Sequence, residues 1–300
     1  MSTEQKTLLF ASDPGGINEI VALSLRKTNP VLFIDEPTKQ PSSLYSNKKI
    51  FFRIISSVGQ IPSILEKEKP TEVYCGTSHT GLIEHAFFQE CQKRKIPVYA
   101  LVDHWNNFKE RFVRNNILIL PDIIFVNDSL AKQLAIESGL PSEKIKILMN
   151  PYFENVRQFK PSESRNIFLK KYGISTANKL IIFLSDCLSE TSSNPKEEFG
   201  FTEIEAMQIA KKQFCDSNSE FVVKLHPKEN EAKFEGFNVK TIKNIPLHDL
   251  IFFADQVLGM FSAAVFEASL LNKNVVRIEP GAKKDYLPFL QTPRFTQVTL

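Results

Sequence analysis

The feature that most constrains this chain is a rhythm that runs through it twice. A short apolar run stops at Gly, Pro, Asp or Ser, and a stretch with apolar residues at helical spacing follows. The first series starts at residues 6–11, turns at Ser12-Asp-Pro-Gly-Gly16 and continues as a helix from Ile17 to Arg26. Residues 31–34, 72–76, 97–102, 122–126 and 144–148 read as further strands, and residues 49–69, 81–93 and 129–138 as helices, the first of them divided or kinked at Pro62. Beyond Leu148 the pattern breaks into polar residues as far as Ser164. A second series then runs through residues 179–184, 221–225, 238–242, 256–258 and 274–278. Strands alternating with helices predict parallel sheets with right-handed crossovers. The chain therefore reads as α/β, with an N-terminal domain over 1–150, a linker over 151–164 and a C-terminal domain over 165–300. Two such layers in tandem predict a cleft between them, and ligands bind beyond the carboxyl ends of parallel strands.

Composition narrows the class. At 300 residues two domains are expected, and 24% charged with 42% hydrophobic residues is ordinary for a globular protein. A net charge of +3 with no run of like charges gives no reason to expect a nucleic-acid partner. The 25 Phe, among them Phe51, Phe52, Phe87, Phe88, Phe252 and Phe253, read as core volume rather than a base-stacking platform. Cys75, Cys91, Cys187 and Cys215 are widely separated and read as packing residues, and no spacing typical of metal ligands is found. Residues 1–11 lack the pattern of a signal peptide and no stretch approaches about 18 apolar residues. A cytoplasmic protein is expected, with association at the membrane left open.

Polar groups at the predicted strand ends are the candidates for chemistry. In Lys224-Leu-His-Pro227, Lys224 and His226 come out at a carboxyl end, where Pro227 stops the pairing; they are placed to hold a phosphate, and the alternative is a histidine capping a loop. Ser262 sits at the N-cap of a predicted helix whose free N–H groups favour an anion, with Glu267 in its second turn placed for a ribose diol; the alternative is a plain cap and a solvated Glu. Gly15 and Gly16 let backbone approach a ligand while Asp13 projects from the strand end, or Asp13 closes a local turn. Asp103, His104, Arg111 and Arg114 follow a strand beside Trp105, either facing an acidic substrate or forming a surface loop. A dinucleotide fingerprint, a P-loop and a serine-hydrolase elbow are all missing from the sequence.

The Gly-Gly turn, Asn150-Pro-Tyr-Phe-Glu154, Lys224-x-His-Pro227 and Gly259-Met-x-Ser-x-x-x-x-Glu-Ala268 together resemble GT-B glycosyltransferases, which have two tandem Rossmann-like domains facing a cleft. The likeness is to bacterial surface-polysaccharide enzymes of the His-Pro type that use CMP-activated sialic-acid-like sugars or Kdo, and to their polyol-phosphate-transferring relatives. It implies a metal-independent, inverting transferase with no cofactor, moving a sugar from a CMP- or UDP-activated donor to a glycan or glycolipid acceptor. It also implies contact with the inner membrane or with other polysaccharide enzymes. By motif position the donor phosphate would meet His226 and Ser262, with Glu267 on the ribose. Beside them, Gly15, Gly16, Lys224 and Pro227 are the further donor-side candidates, His104 and Arg111 the acceptor-side ones, and His226 is also a catalytic candidate, its imidazole placed to protonate the departing phosphate. Asp13 is the favoured base and Asp103 the runner-up. A pair of serines is common where this chain has Ser262-Ala263. Two alternatives stand beside it. One is a UDP-N-acetylhexosamine 2-epimerase, although its Gly-Gly-x-x-Glu-Glu helix start is replaced here by Ser262-Ala-Ala-Val-Phe-Glu267. The other is a non-catalytic nucleotide-sugar-binding partner of a capsule assembly complex.

Overall fold

The computed structural model describes residues 5–78 and 81–297, so residues 1–4 of the amino-terminal stretch lie outside the described residues. The chain divides into two compact units, Met1–Asn155 and Val156–Leu300. No helix among the described residues is long and apolar enough to cross a membrane.

The first unit runs β1 (Thr7–Ala11), α1 (Pro14–Ser24), β2 (Pro30–Ile34), β3 (Phe52–Ile54), α2 (Ile61–Glu68), β4 (Glu72–Gly76), α3 (Leu82–Lys93), β5 (Val98–Val102), β6 (Val113–Arg114), β7 (Ile117–Leu118), β8 (Ile123–Val126), α4 (Ser129–Glu137), β9 (Ile145–Ile147) and α5 (Pro151–Arg157). Its seven-stranded sheet has the order β3-β2-β1-β4-β5-β8-β9 and every pairing is parallel. All five residues of β1 are buried, as expected of a strand covered on both faces. The Phe10 and Phe87 rings pack 5.5 Å apart, each contributing about 2–3 kcal/mol by leaving water.

The second unit runs α6 (Arg165–Lys171), β10 (Lys179–Leu184), α7 (Leu188–Thr191), α8 (Pro195–Phe199), α9 (Glu203–Phe214), β11 (Ser219–Lys224), β12 (Lys240–Ile242), α10 (Leu247–Phe253), β13 (Gln256–Gly259), α11 (Ala263–Leu270), β14 (Val275–Ile278) and β15 (Arg294–Phe295). Its six-stranded sheet order, β12-β11-β10-β13-β14-β15, repeats that of the first unit without the last strand. In both, the order reverses at the first strand: between β1 and β4, and between β10 and β13. Each reversal opens a crevice at the carboxyl edge of its own sheet.

Some local expectations need correction. Of the helix predicted over residues 49–69, only α2 is α-helical; Phe52-Arg53-Ile54 instead pairs with Leu32–Ile34 as β3. Phe52 and Ile54, aromatic and β-branched, favour the sheet there, and Pro62 fits the first turn of a helix but not its interior. Phe51 is 80% exposed and contributes nothing to the core. The stretch read as a polar linker contains α5, with Tyr152 and Phe153 buried. The hairpin β6–β7 went unread although Asn115 and Asn116, with φ of 47° and 62°, form the kind of two-residue turn that hairpins favour.

Candidate functional site

Each first strand ends in the same pair, Ser12-Asp13 after β1 and Ser185-Asp186 after β10. Both serines are held alike. Ser12 Oγ donates to Glu84 Oε1 at 2.6 Å, and Ser185 Oγ donates to Glu229 Oε1 at 2.7 Å. Each Asp therefore stands on a turn whose preceding residue is pinned to a buried carboxylate.

In the first unit Asp13 caps α1 with extended backbone, and its carbonyl accepts the Ile17 N–H at 2.8 Å. Burial, and then the charge of Asp103, raise the Asp13 carboxyl above its ordinary value, while Arg111 and Lys39 pull it back. Asp103 comes from the end of β5 and lies against the first turn of α1, so close that a Cβ on Gly15 would collide with its Oδ2. Arg111 reaches back from the following loop, donating to Asp103 Oδ1 at 3.2 Å and to the Thr77 carbonyl at 2.9 Å. Beneath them Glu19 is 2% exposed, and burial followed by the Asp103 charge holds its carboxyl well above the usual range. A cavity of about 420 Å³ opens beside this group, lined by Ser12, Asp13, Lys39, Ser57 and Glu84.

Three carboxylates, Asp13, Glu19 and Asp103, thus share the field of one guanidinium, that of Arg111. Asp103 is paired with Arg111, while burial raises the Asp13 carboxyl above its ordinary value. His104 lies half-buried with its pKa lowered by burial, its ring edge-on to Trp105 at 6.1 Å. Trp105 itself donates to Asp128 at 2.8 Å and stacks on Phe153. Gly16 packs against the sheet, where a Cβ would lie 3.3 Å from both Ala11 Cβ and Gly76 Cα.

In the second unit the His226 N–H donates to Glu229 Oε2 at 2.5 Å, and the Lys228 N–H donates to His226 Nδ1 at 3.1 Å. The imidazole is thereby fixed with its proton on Nε2; burial, then Lys228 and Lys224, lower its pKa and keep it neutral. Lys224 is turned onto its own loop, donating to the Leu225 carbonyl at 2.6 Å, and burial lowers its pKa. Pro227 is exposed. Behind His226 the Lys233 ammonium occupies the centre of Glu190, Glu203 and Glu229, at 2.7, 2.5 and 2.9 Å. Burial opposes that charge, but the three carboxylates outweigh it and raise the Lys233 pKa.

Asp186 is 7% exposed, and its Oδ2 accepts the Phe261 N–H at 3.3 Å, just ahead of α11. Burial is the largest influence on its carboxyl, which is pushed up to about 7 although the Phe261 N–H and the neighbouring Ser262 hydroxyl favour the charged form. Ser262 caps α11 by backbone only. Its Oγ is close enough to Asp186 to influence it, yet is buried without a well-formed hydrogen bond among the described residues. Glu267 faces inward, 7% exposed, with Oε2 2.9 Å from His248 Nε2 on α10.

The structure thus brings Asp13, Gly15, Asp103 and Arg111 together in one unit, and places Ser262 beside Asp186 in the other. Lys224 and Glu267 are engaged elsewhere. Sequence reasoning missed Glu19, Glu84, Asp186, Glu229, Lys233 and His248. Only Asp186 carried a readable signal, since it follows a buried strand just as Asp13 does.

No protein family and no curated protein matches the sequence. Solved structures do share the fold. UDP-GlcNAc 2-epimerase from Neisseria meningitidis, bound to UDP-GlcNAc, is similar with a TM-score of 0.66 and 18% identity, over 91% of this chain and 82% of that one. UDP-GlcNAc 2-epimerase from Methanocaldococcus jannaschii gives a TM-score of 0.67 at 14% identity, over 97% and 89%. Anabaena HepE in complex with UDP-glucose gives 0.65 at 11%, over 97% and 85%. The fold is the two-domain, Rossmann-like GT-B type of these nucleotide-sugar enzymes.

These likenesses correct the expectation of a CMP-dependent surface-polysaccharide transferase. Many of the similar folds are those of UDP-GlcNAc 2-epimerases, and the nucleotides bound in the similar structures are UDP and UDP-sugars. The physical reason for the error is that a polar group after a buried strand and a serine at a helix start serve phosphate binding in general. They carry no information about which bond is then made or broken.

Proposed function

We propose that this protein is a UDP-sugar enzyme of the UDP-N-acetylhexosamine 2-epimerase kind, inverting a sugar carbon without any acceptor. The observation that carries the reading is the fold likeness, over nine-tenths of the chain, to epimerases solved with UDP or UDP-GlcNAc. The local chemistry agrees with it.

C2 of such a sugar is not next to a carbonyl, so a base can take its proton only as the C1–O bond to UDP breaks and the electron pair forms a C1=C2 double bond. UDP then adds back at C1 as an acid returns a proton to the other face of C2, and polar groups must meet the charge on the departing diphosphate. In this reading Asp13 transfers the proton, and Asp103, oriented by Arg111, supports it. The diphosphate is received at the amino end of α11, where Ser262 Oγ has no well-formed partner among the described residues. His226 contributes its Nε2–H. Glu267, tied to His248, orients α11 from within.

The test is to incubate the purified protein with UDP-N-acetylglucosamine alone and separate the nucleotide sugars by chromatography. The reading expects the 2-epimer to accumulate to an equilibrium ratio. An unchanged nucleotide sugar, at any enzyme concentration, overturns it.

A further inference from the structure

Asp186 occupies the place where an incoming phosphate would look for its donors. Its Oδ2 takes the Phe261 N–H at 3.3 Å, one residue before the α11 cap, and Ser262 Oγ lies beside it. It stands at the strand-order reversal between β10 and β13, on a turn fixed by the Ser185–Glu229 hydrogen bond. Two anions cannot share these donors, because in a partly buried site like charges a few ångströms apart repel strongly. We propose that Asp186 takes up a proton from solvent when the diphosphate of a nucleotide sugar binds at the amino end of α11, and then donates a hydrogen bond to it as a neutral acid. This rests on the UDP-sugar reading above and adds a proton to its binding step.

The surroundings favour a proton on this group. Glu229, from the loop after β11, and Glu203, on α9, both raise the Asp186 pKa; the one Lys233 ammonium is shared among these two and Glu190, which leaves net negative charge beside Asp186. Cys187 adjoins Asp186 on its own turn, and burial, followed by the Asp186 charge, raises that thiol. At the cap of α11, the Phe261 N–H and the Ser262 hydroxyl are the groups that favour its charged form. The largest influences on Asp186 include no cation, although Lys228 acts on the adjoining Cys187. With its carboxyl at about 7 in the free protein, Asp186 is only about one-tenth protonated at pH 8 and about nine-tenths protonated at pH 6. A phosphate arriving at pH 8 therefore draws in nearly one proton.

Calorimetric titration with UDP-N-acetylglucosamine, in buffers of different ionisation enthalpy, reads that proton directly. Its pyrophosphate is a diester and does not titrate near neutrality, so the uptake comes from the protein. The expected uptake is about 0.9 proton at pH 8, falling to about 0.1 at pH 6. In Asp186→Asn, which keeps a donor and removes the acid, the uptake disappears and affinity at pH 8 rises about tenfold. Binding by the wild type without uptake overturns the proposal and leaves the UDP-sugar reading standing; this arm needs no variant. Uptake that persists in Asp186→Asn assigns the proton to another group such as His226 and also overturns it. A wild type with no saturable heat overturns the UDP-sugar reading itself, and the proposal with it.

Discussion

The Ser185 hydroxyl is held by Glu229 at 2.7 Å, and the other oxygen of the same carboxylate holds the backbone of His226. Glu229 thereby joins the end of β10 to the loop that presents the imidazole, with Lys233 compensating its charge. Removing the lysine strands two carboxylates that are 0% exposed, Glu203 and Glu229. Lys233→Met is expected to cost about 3–5 kcal/mol, the usual consequence of breaking a buried ion pair from one side. Denaturant midpoints at constant slope measure it; a loss under about 1 kcal/mol would show that the cluster contributes little.

Glu19 gives a pH dependence whose sign can be worked out. Its folded pKa is raised by burial and by Asp103, so between the unfolded and folded values the native state holds a proton that the unfolded state has lost. Stability from this group is complete below the ordinary carboxylate value and declines as pH rises toward the folded one. Glu19→Gln removes the penalty. Its stability relative to wild type should be near zero at pH 4 and grow in its favour from pH 5 to pH 7, as followed by urea unfolding at each pH.

The contact between α1 and β4 predicts an order between two similar substitutions. A Cβ on Gly76 would lie 2.9 Å from Gly16 Cα, a backbone atom that cannot move alone, so Gly76→Ala should cost about 1–3 kcal/mol. Gly16→Ala meets its neighbours at 3.3 Å and gains helix propensity of about 1 kcal/mol, which leaves it near neutral. Thermal unfolding of both variants checks the order, and Gly16→Ala as the worse of the two would contradict this packing.

The acid–base and phosphate roles separate kinetically. Asp13→Asn should lower turnover of UDP-N-acetylglucosamine by about 10²–10⁴-fold with nucleotide affinity kept, because Asp13 belongs to proton transfer and not to the UDP contacts. His226→Ala should weaken UDP binding as well. Equal effects of the two variants on affinity would remove the distinction.

Much of this was legible in the sequence, and the reasons for the rest are physical. Strands such as Lys179–Leu184 announce themselves as apolar runs closed by turn residues, and from them follow both sheets and the edges that carry Asp13, Asp103, His226 and Ser262. The supporting carboxylates were hidden, because Glu84 and Glu229 look like surface residues until the fold brings Ser12 and Ser185 to them. Glu267 reads as a ribose contact, or as a solvated Glu, on the second turn of a helix, and in the structure it faces His248. The reaction was the least legible part, since a phosphate-binding edge has the same residue types whether a sugar is transferred or inverted.

The central claim is tested most directly at the sugar carbon itself. UDP-N-acetylglucosamine incubated with the protein in D₂O and followed by ¹H NMR should lose its C2 proton signal as solvent deuterium enters, while signals of the 2-epimer grow in, with no acceptor present. A C2 proton that stays in place, while the nucleotide sugar binds with ordinary affinity, would contradict the account.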